Sequence, residues 1–240
     1  MSAAPVTTAR PGWYGKLPVR GDFVSRNLPP TFLNPWDSWL QTALACSRQQ
    51  LGQDWLACYL TSPLWRFALS SGACGPDAYA GVLMPSVDRV GRYYPLVIAA
   101  PLPDHHNLLD LTTADWFAQA EEVALAGLDE HLDLEDFAAR VQALDLPGTS
   151  RFLKSAFPAD SSSTAWYCTL TDLATLKQVG NGLAAYLLAE HFPHYSLWWS
   201  HGSERINPCL LVCQALPPPE GFSALLAGNW EQWGWNERPL

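Results

Sequence analysis

Apolar side chains recur along this chain with two different periods, and the switches between them mark out its elements. After Trp36, the positions Trp39, Leu40, Ala43 and Leu44 fall at helical spacing. Asn34 as N-cap, Pro35 at the first helical position and Asp37 in the first turn predict where that helix starts, and Gly52 where it stops. Short runs rich in aromatic and branched residues follow at 64–69, 79–84 and 93–100, divided by Gly and Pro; they read as three strands of a meander. Trp116, Phe117, Ala120, Val123, Ala124 and Leu128 then form one helical stripe. Leu134, Phe137, Ala138, Val141 and Leu144 form a second, with Asp133 as its N-cap and Pro147-Gly148 as its end. A strand at 165–170 comes next, then a helix led by Asp172 and carrying Leu173, Leu176, Gly180, Leu183, Ala184 and Leu187. Strands at 195–200 and 208–215 and a short helix launched by Pro217-Pro218-Pro219 complete the set.

Strands arrive in runs separated by helices and seldom alternate with them singly. That order predicts an α+β fold, a single domain with a largely antiparallel central sheet flanked by helices. The expected organisation is a flexible amino terminus over 1–12, a folded unit over 13–227, and a tryptophan-containing tail over 228–240. Trp36, Trp39, Trp65 and Trp198 are expected in the core, and Trp13, Trp230, Trp233 and Trp235 at an edge or exposed. The tail either docks back on the body or offers tryptophan anchors to a partner.

Composition narrows the classes. A hydrophobic fraction of 48% against 15% charged residues is that of a chain able to bury a core. The net charge of −9 argues against nucleic-acid binding, which needs clustered positive charge. No apolar run reaches the roughly 18–20 residues of a membrane span, and residues 1–12 have no apolar core behind a basic start, so neither membrane insertion nor a secretory signal is expected. The charge is also segregated: between Asp104 and Asp145 there are eleven acids and one base, Arg140, whereas Met1 to Arg92 holds eight bases and five acids. The acidic block reads either as a solvated face or as a docking face for a basic partner.

Local chemistry is sparse. Cys46, Cys58, Cys74, Cys168, Cys209 and Cys213 include no C-x-x-C pair, so they read as reduced structural thiols. His191 and His194 are separated by Pro193, and His105-His106 point apart in any regular element, so no metal site is expected. Gly12-Trp13-Tyr14-Gly15-Lys16 is too short between its glycines for a phosphate loop, and Leu17 stands where a Ser or Thr should. Gly202-Ser203-Glu204 lacks the second glycine of a nucleophile elbow. No cofactor and no small-molecule substrate are expected.

Three stretches are more distinctive. The first is Gly15-Lys16-Leu17-Pro18, then Arg20-Gly21-Asp22-Phe23-Val24, and later Pro35-Trp36-Asp37-Ser38-Trp39-Leu40. The second joins Pro63-Leu64-Trp65-Arg66-Phe67 to Gly81-Val82-Leu83-Met84-Pro85-Ser86-Val87-Asp88-Arg89-Val90-Gly91-Arg92-Tyr93-Tyr94-Pro95. The third is Ser196-Leu197-Trp198-Trp199 with Gly202-Ser203. Residues 15–18 suit a strand entering a turn, with Gly21 supplying a positive φ and Asp22 a short acceptor. Residues 85–92 form a loop between two strands, longer than a tight hairpin. There Asp22 or Asp88 pairs with Arg89 or Arg92 to pin one loop to the other, or the loops form a partner-binding edge, and the two roles are compatible.

In this order and spacing, over about residues 13–226, the three stretches resemble the TagF family of type VI secretion-associated accessory proteins. The resemblance implies a bacterial, cytoplasmic, non-enzymatic protein that represses type VI secretion post-translationally by binding a forkhead-associated (Fha-like) scaffold. Some relatives carry a PppA-type phosphatase domain for which these 240 residues leave no room, so any phosphatase would have to be a separate protein. Candidate partner contacts are Lys16, Asp22, Arg89 and Arg92 on the loops and Glu121, Glu122, Asp129 and Glu130 on the acidic helices. Gly15, Pro18, Gly21, Phe23, Trp36, Asp37, Trp65, Ser86, Asp88, Gly91 and Trp198 are expected to shape the site. Two rivals stand beside this reading: a signalling-associated hydrolase with a pocket around Ser86, Asp88 and Arg92, and a structural subunit of the secretion apparatus.

Overall fold

Two strands with no polar face decide where the sheet lies. β4 (Ala78–Met84) and β5 (Leu96–Leu102) are buried along almost their whole length, so each needs cover on both sides. The computed structural model, which describes residues 10–102, 107–147 and 176–238, places them at the centre of a seven-stranded antiparallel sheet. The order is β2 (Val24–Arg26), β1 (Gly12–Gly15), β5, β4, β3 (Trp65–Leu69), β6 (Tyr195–Ser200), β7 (Cys209–Gln214). β4 pairs with β5 over seven residues from Ala78↔Leu102 to Met84↔Leu96, and with β3 from Trp65↔Leu83 to Leu69↔Tyr79. The α+β architecture read from the sequence is the one observed.

Successive residues of these strands feed two separate cores. Tyr79, Leu83, Val97, Phe67 and Trp198 face one layer, formed with α1 (Pro30–Leu51), α2 (Trp55–Leu60) and α6 (Phe222–Ala227). Ala80, Val82, Ile98, Ala100 and Trp199 face the other, covered by α3 (Trp116–Ala126) and α4 (Leu134–Gln142). α5 (Leu176–His191) packs beside this second layer against the 3₁₀ turn at Leu108–Thr113. Trp36, Trp65 and Trp198 are buried as expected, and the Trp65 indole donates to the Leu225 carbonyl at 3.0 Å. Asp133 caps α4 as predicted, accepting from the backbone N–H groups of Glu135 and Asp136.

α1 begins a turn earlier than the sequence signals indicate. Pro29 is its N-cap, so Asn34 and Pro35 lie inside it and Asp37 is outside the first turn. The added turn buries Phe32 completely, four residues before Trp36, and the two rings stack at 5.2 Å. That burial offsets the N–H which Pro35 cannot donate to Thr31. The vacated Thr31 carbonyl is approached by the backbone of Gly75 (φ +99), where a Cβ would come within 2.3 Å of the oxygen. α1 stops at Gly52 as expected, and α2 follows it without a predicted counterpart.

Trp13 is a correction: it is 2% exposed, because α4 covers that end of the sheet and Phe137 meets its ring edge-on at 5.1 Å. The strand read at 93–100 starts at Leu96, since residues 85–95 form a separate loop ladder. β1 already starts at Gly12, within the stretch assigned to a flexible terminus. The tail packs onto the body: Trp230 and Trp235 meet edge-on at 5.6 Å, and the Trp235 indole donates to the Gly221 carbonyl at 2.9 Å. The strand at 165–170, the helix start at Asp172, Gly148 and Cys168 lie outside the described residues. No described helix is long and apolar enough to cross a membrane.

Candidate functional site

Antiparallel pairing brings the carboxyl ends of β1 and β4 and the amino end of β5 to one end of the sheet. The loop after β1 (residues 16–23) and the loop between β4 and β5 (residues 85–95) therefore meet there. Their contact starts at Gly15, whose φ of +141° and close approach to the Pro95 carbonyl leave no room for a side chain. A Cβ there would stand 2.2 Å from that oxygen.

Asp88 joins the two loops. Its side chain is fully buried, and its Oδ2 accepts from Lys16 Nζ and from Arg92 Nε, both at 2.7 Å. Its Oδ1 accepts from the backbone N–H groups of Val90 at 3.0 Å and Arg92 at 2.9 Å. Burial pushes the Asp88 carboxyl up, but these hydrogen bonds outweigh it and hold the group well below the usual carboxylate range. Ser86 Oγ donates to the Lys16 carbonyl at 2.7 Å, and Arg89 N–H donates to the Arg20 carbonyl at 2.9 Å. The Arg92 guanidinium also donates to the Gly21 carbonyl and lies 4.0 Å from Asp22. The upper loop closes on itself through the Val87–Tyr93 bridge and a turn in which Gly91 has a φ of +87°. Gly21 does not take the positive φ expected of it; the turn at 17–20 closes by the Arg20 N–H on the Leu17 carbonyl instead.

Three tyrosines that sequence reasoning gave no role complete the site. Tyr59 of α2 clips the upper loop twice, donating to the Ser86 carbonyl at 2.8 Å and accepting from its N–H at 2.9 Å. Asp37 of α1 accepts from Tyr14 at 2.7 Å and Tyr94 at 2.6 Å on one oxygen, and from Gln41 at 2.7 Å on the other. Burial first, and the hydrogen bond to Asp37 second, push both tyrosine hydroxyls well above their ordinary values. On top of this layer Phe23 stacks on Tyr14 at 5.5 Å and meets Tyr94 edge-on at 4.7 Å while staying 46% exposed. Lys16 Nζ lies 5.1 Å from the centre of the Phe23 ring.

The structure divides the predicted contacts into two kinds. Lys16 is buried on Asp88, and Glu121 is turned inward onto Arg66 in a bidentate pair at 2.7 Å that ties α3 to β3. Both act through the fold, a correction to their expected role as surface contacts: each charge lies over an element where burial demands a partner. Asp22, Arg89, Arg92, Glu122, Asp129 and Glu130 are exposed. The loop side and the acid-bearing end of α3 are neighbours, because a Cβ on Gly127 would touch the side chains of Leu17 and Leu96. The pinning predicted for Asp22 or Asp88 with Arg89 or Arg92 is realised by Asp88 and Arg92, with Lys16 as the buried partner. Pro18 lies half-buried in the lower loop's turn.

Among the described residues the Ser86 hydroxyl hydrogen-bonds a carbonyl and no base. Burial raises the Cys74 and Cys213 thiols to about 12 and Cys209 to about 11, which disfavours their nucleophilic form. Among the described residues no three His, Cys, Asp or Glu side chains converge as metal ligands would.

The class defined by this geometry is an α+β domain with an antiparallel sheet and an ion-paired double loop at one sheet end. Residues 12–144, more than half the chain, match the family described as TagF N-terminal domain, Type VI secretion system-associated. The chain belongs to the TagF family and is a type VI secretion system-associated protein. It is similar to the crystal structure of PA0076 from Pseudomonas aeruginosa PAO1, with 39% identity over 96% of this chain and 97% of that one, and a TM-score of 0.78. No curated protein matches it.

Proposed function

We propose that this chain is a non-enzymatic regulatory binding protein of the cytoplasm that represses type VI secretion post-translationally by occupying an Fha-like scaffold component. What supports the reading is the use to which the polar side chains of the double loop are put. Asp88 accepts four hydrogen bonds from within the two loops, Ser86 and Tyr59 lock their backbones, and Asp37 anchors the aromatic layer beneath. Such a loop pair presents Phe23, Arg89 and Arg92 on a backbone already fixed, and pre-organisation lowers the ordering cost of binding. The exposed acids Glu122, Asp129 and Glu130 adjoin it and offer a second charge for registering a partner.

The decisive experiment deletes the gene in its native host and measures secreted effector. A repressor predicts a rise; a structural subunit of the apparatus predicts loss. Pull-down of the purified scaffold with the wild-type chain, and with both charged faces reversed, tests the mechanism. Capture that survives reversal of both faces removes this reading.

A further inference from the structure

We infer that the double-loop end is also a self-association face, on which a second copy of this chain docks about a two-fold axis. The inference needs no scaffold and goes beyond the repressor reading.

Ten large apolar side chains are exposed among the described residues, and six of them belong to elements that meet this end of the sheet. Phe23 and Val90 are on the two loops, Leu56 and Leu60 on α2, which Tyr59 clips to Ser86, and Leu125 and Leu128 at the end of α3. α2 and α3 cover opposite faces of the sheet, so Leu56 with Leu60 and Leu125 with Leu128 are two separate patches at this end. Exposed apolar surface marks an interface where a second feature adjoins it. The charges at this end are of two kinds set side by side. Residues 16–23 and 85–95 hold four bases and two acids in a chain of net charge −9, and the buried acid, Asp88, is already neutralised. Arg20 and Arg89 leave the fold from adjoining backbone, and their side chains have no hydrogen bond or ion pair among the described residues. The neighbouring end of α3 and the turn after it present Glu122 and Glu130, equally unpaired, around Leu125 and Leu128.

A basic tip bearing Phe23 and Val90 beside an acidic tip bearing two leucines is self-complementary. Rotating a second copy by half a turn sets each basic tip on the other's acidic tip, so both contacts form at once and the assembly closes as a dimer. Whole-body repulsion between two chains of −9 opposes this, but it is screened beyond about 8 Å at 0.15 M salt, whereas contacting pairs are screened less.

The test is the solution mass of the purified full chain by sedimentation equilibrium, from micromolar to millimolar protein at 0.15 M salt. The wild type is expected to rise with concentration from 26.5 kDa to twice that mass and no further. Arg20→Glu with Arg89→Glu, and separately Glu122→Lys with Glu130→Lys, should each weaken the dimer by about tenfold or more. The chain with all four reversals restores opposite charges across the contact and should dimerise again. Unchanged thermal unfolding of each variant shows that it is folded. A wild-type mass that stays at one chain overturns the inference, as do single-face variants that dimerise like the wild type or a fourfold variant that fails to recover. Growth beyond two copies overturns the two-fold arrangement in favour of head-to-tail contacts. A monomer whose face variants lose only scaffold capture assigns the face to that partner, and likewise overturns it.

Discussion

Replacing Asp88 by alanine tests the central claim that one buried carboxylate holds the two loops together. Lys16 Nζ sits 2.7 Å from that carboxylate with its side chain 7% exposed, so removing Asp88 leaves a largely buried ammonium without its counter-charge. Breaking a buried pair this way costs about 3–5 kcal/mol, against about 5–15 kcal/mol for a whole domain. At about 2–4 °C per kcal/mol for a chain of this size, the midpoint of thermal unfolding should fall by about 6–20 °C. Arg92, at 58% side-chain exposure, regains water when its partner goes, and Arg92→Ala should cost about 1 kcal/mol or less. Urea unfolding followed by fluorescence of the 12 tryptophans gives the free energies. Lys16→Met combined with Asp88→Ala removes the stranded charge and should recover about 2 kcal/mol or more. If the two single losses instead add to within about 0.5 kcal/mol, the buried-pair argument is wrong.

Because the Asp88 carboxyl is held below its ordinary value, its contribution is present above the unfolded-state value near about 4 and is lost as pH falls through the folded one. The stability gap between wild type and Asp88→Asn should therefore be level from about pH 5 to 8 and narrow below about pH 4; a gap still constant at about pH 2.5 contradicts this. Gly15→Ala forces a Cβ against the Pro95 carbonyl and should cost about 2–4 kcal/mol, read from the urea midpoint; a change under about 0.5 kcal/mol would mean the loops are not in contact there. Trp235→Ala removes a ring contact and the hydrogen bond to Gly221, so chymotrypsin should cut after Trp230 and Trp233 faster while global stability drops by about 1–2 kcal/mol. Equal cutting rates in both proteins would show that the tail is not held by this ring.

Elements governed by neighbours in the chain were legible from the amino-acid order alone. β4 and β6, the body of α3, and α4 with its Asp133 cap follow from local periodicity and local hydrogen bonds, and a sheet built from strand runs follows from their succession. The motifs around Lys16 and Asp88 likewise marked the region where the double loop lies. What those charges do was not legible, because their partners are remote: Lys16 and Asp88 are 72 residues apart, Arg66 and Glu121 55, Tyr94 and Asp37 57. A sequence pattern ranks Lys16 and Glu121 as surface groups, since an unpaired charge does not survive burial. Only the folded chain shows that each is buried with its opposite. The start of α1 and the burial of Trp13 belong to the same class, because Phe32 and Phe137 supply cover that no capping rule records. Local order thus set the elements and their sequence, while tertiary packing chose which polar groups became structure and which stayed free for a partner. The reason is physical: burial changes the worth of a charge or an indole by several kcal/mol, far more than any propensity along the chain.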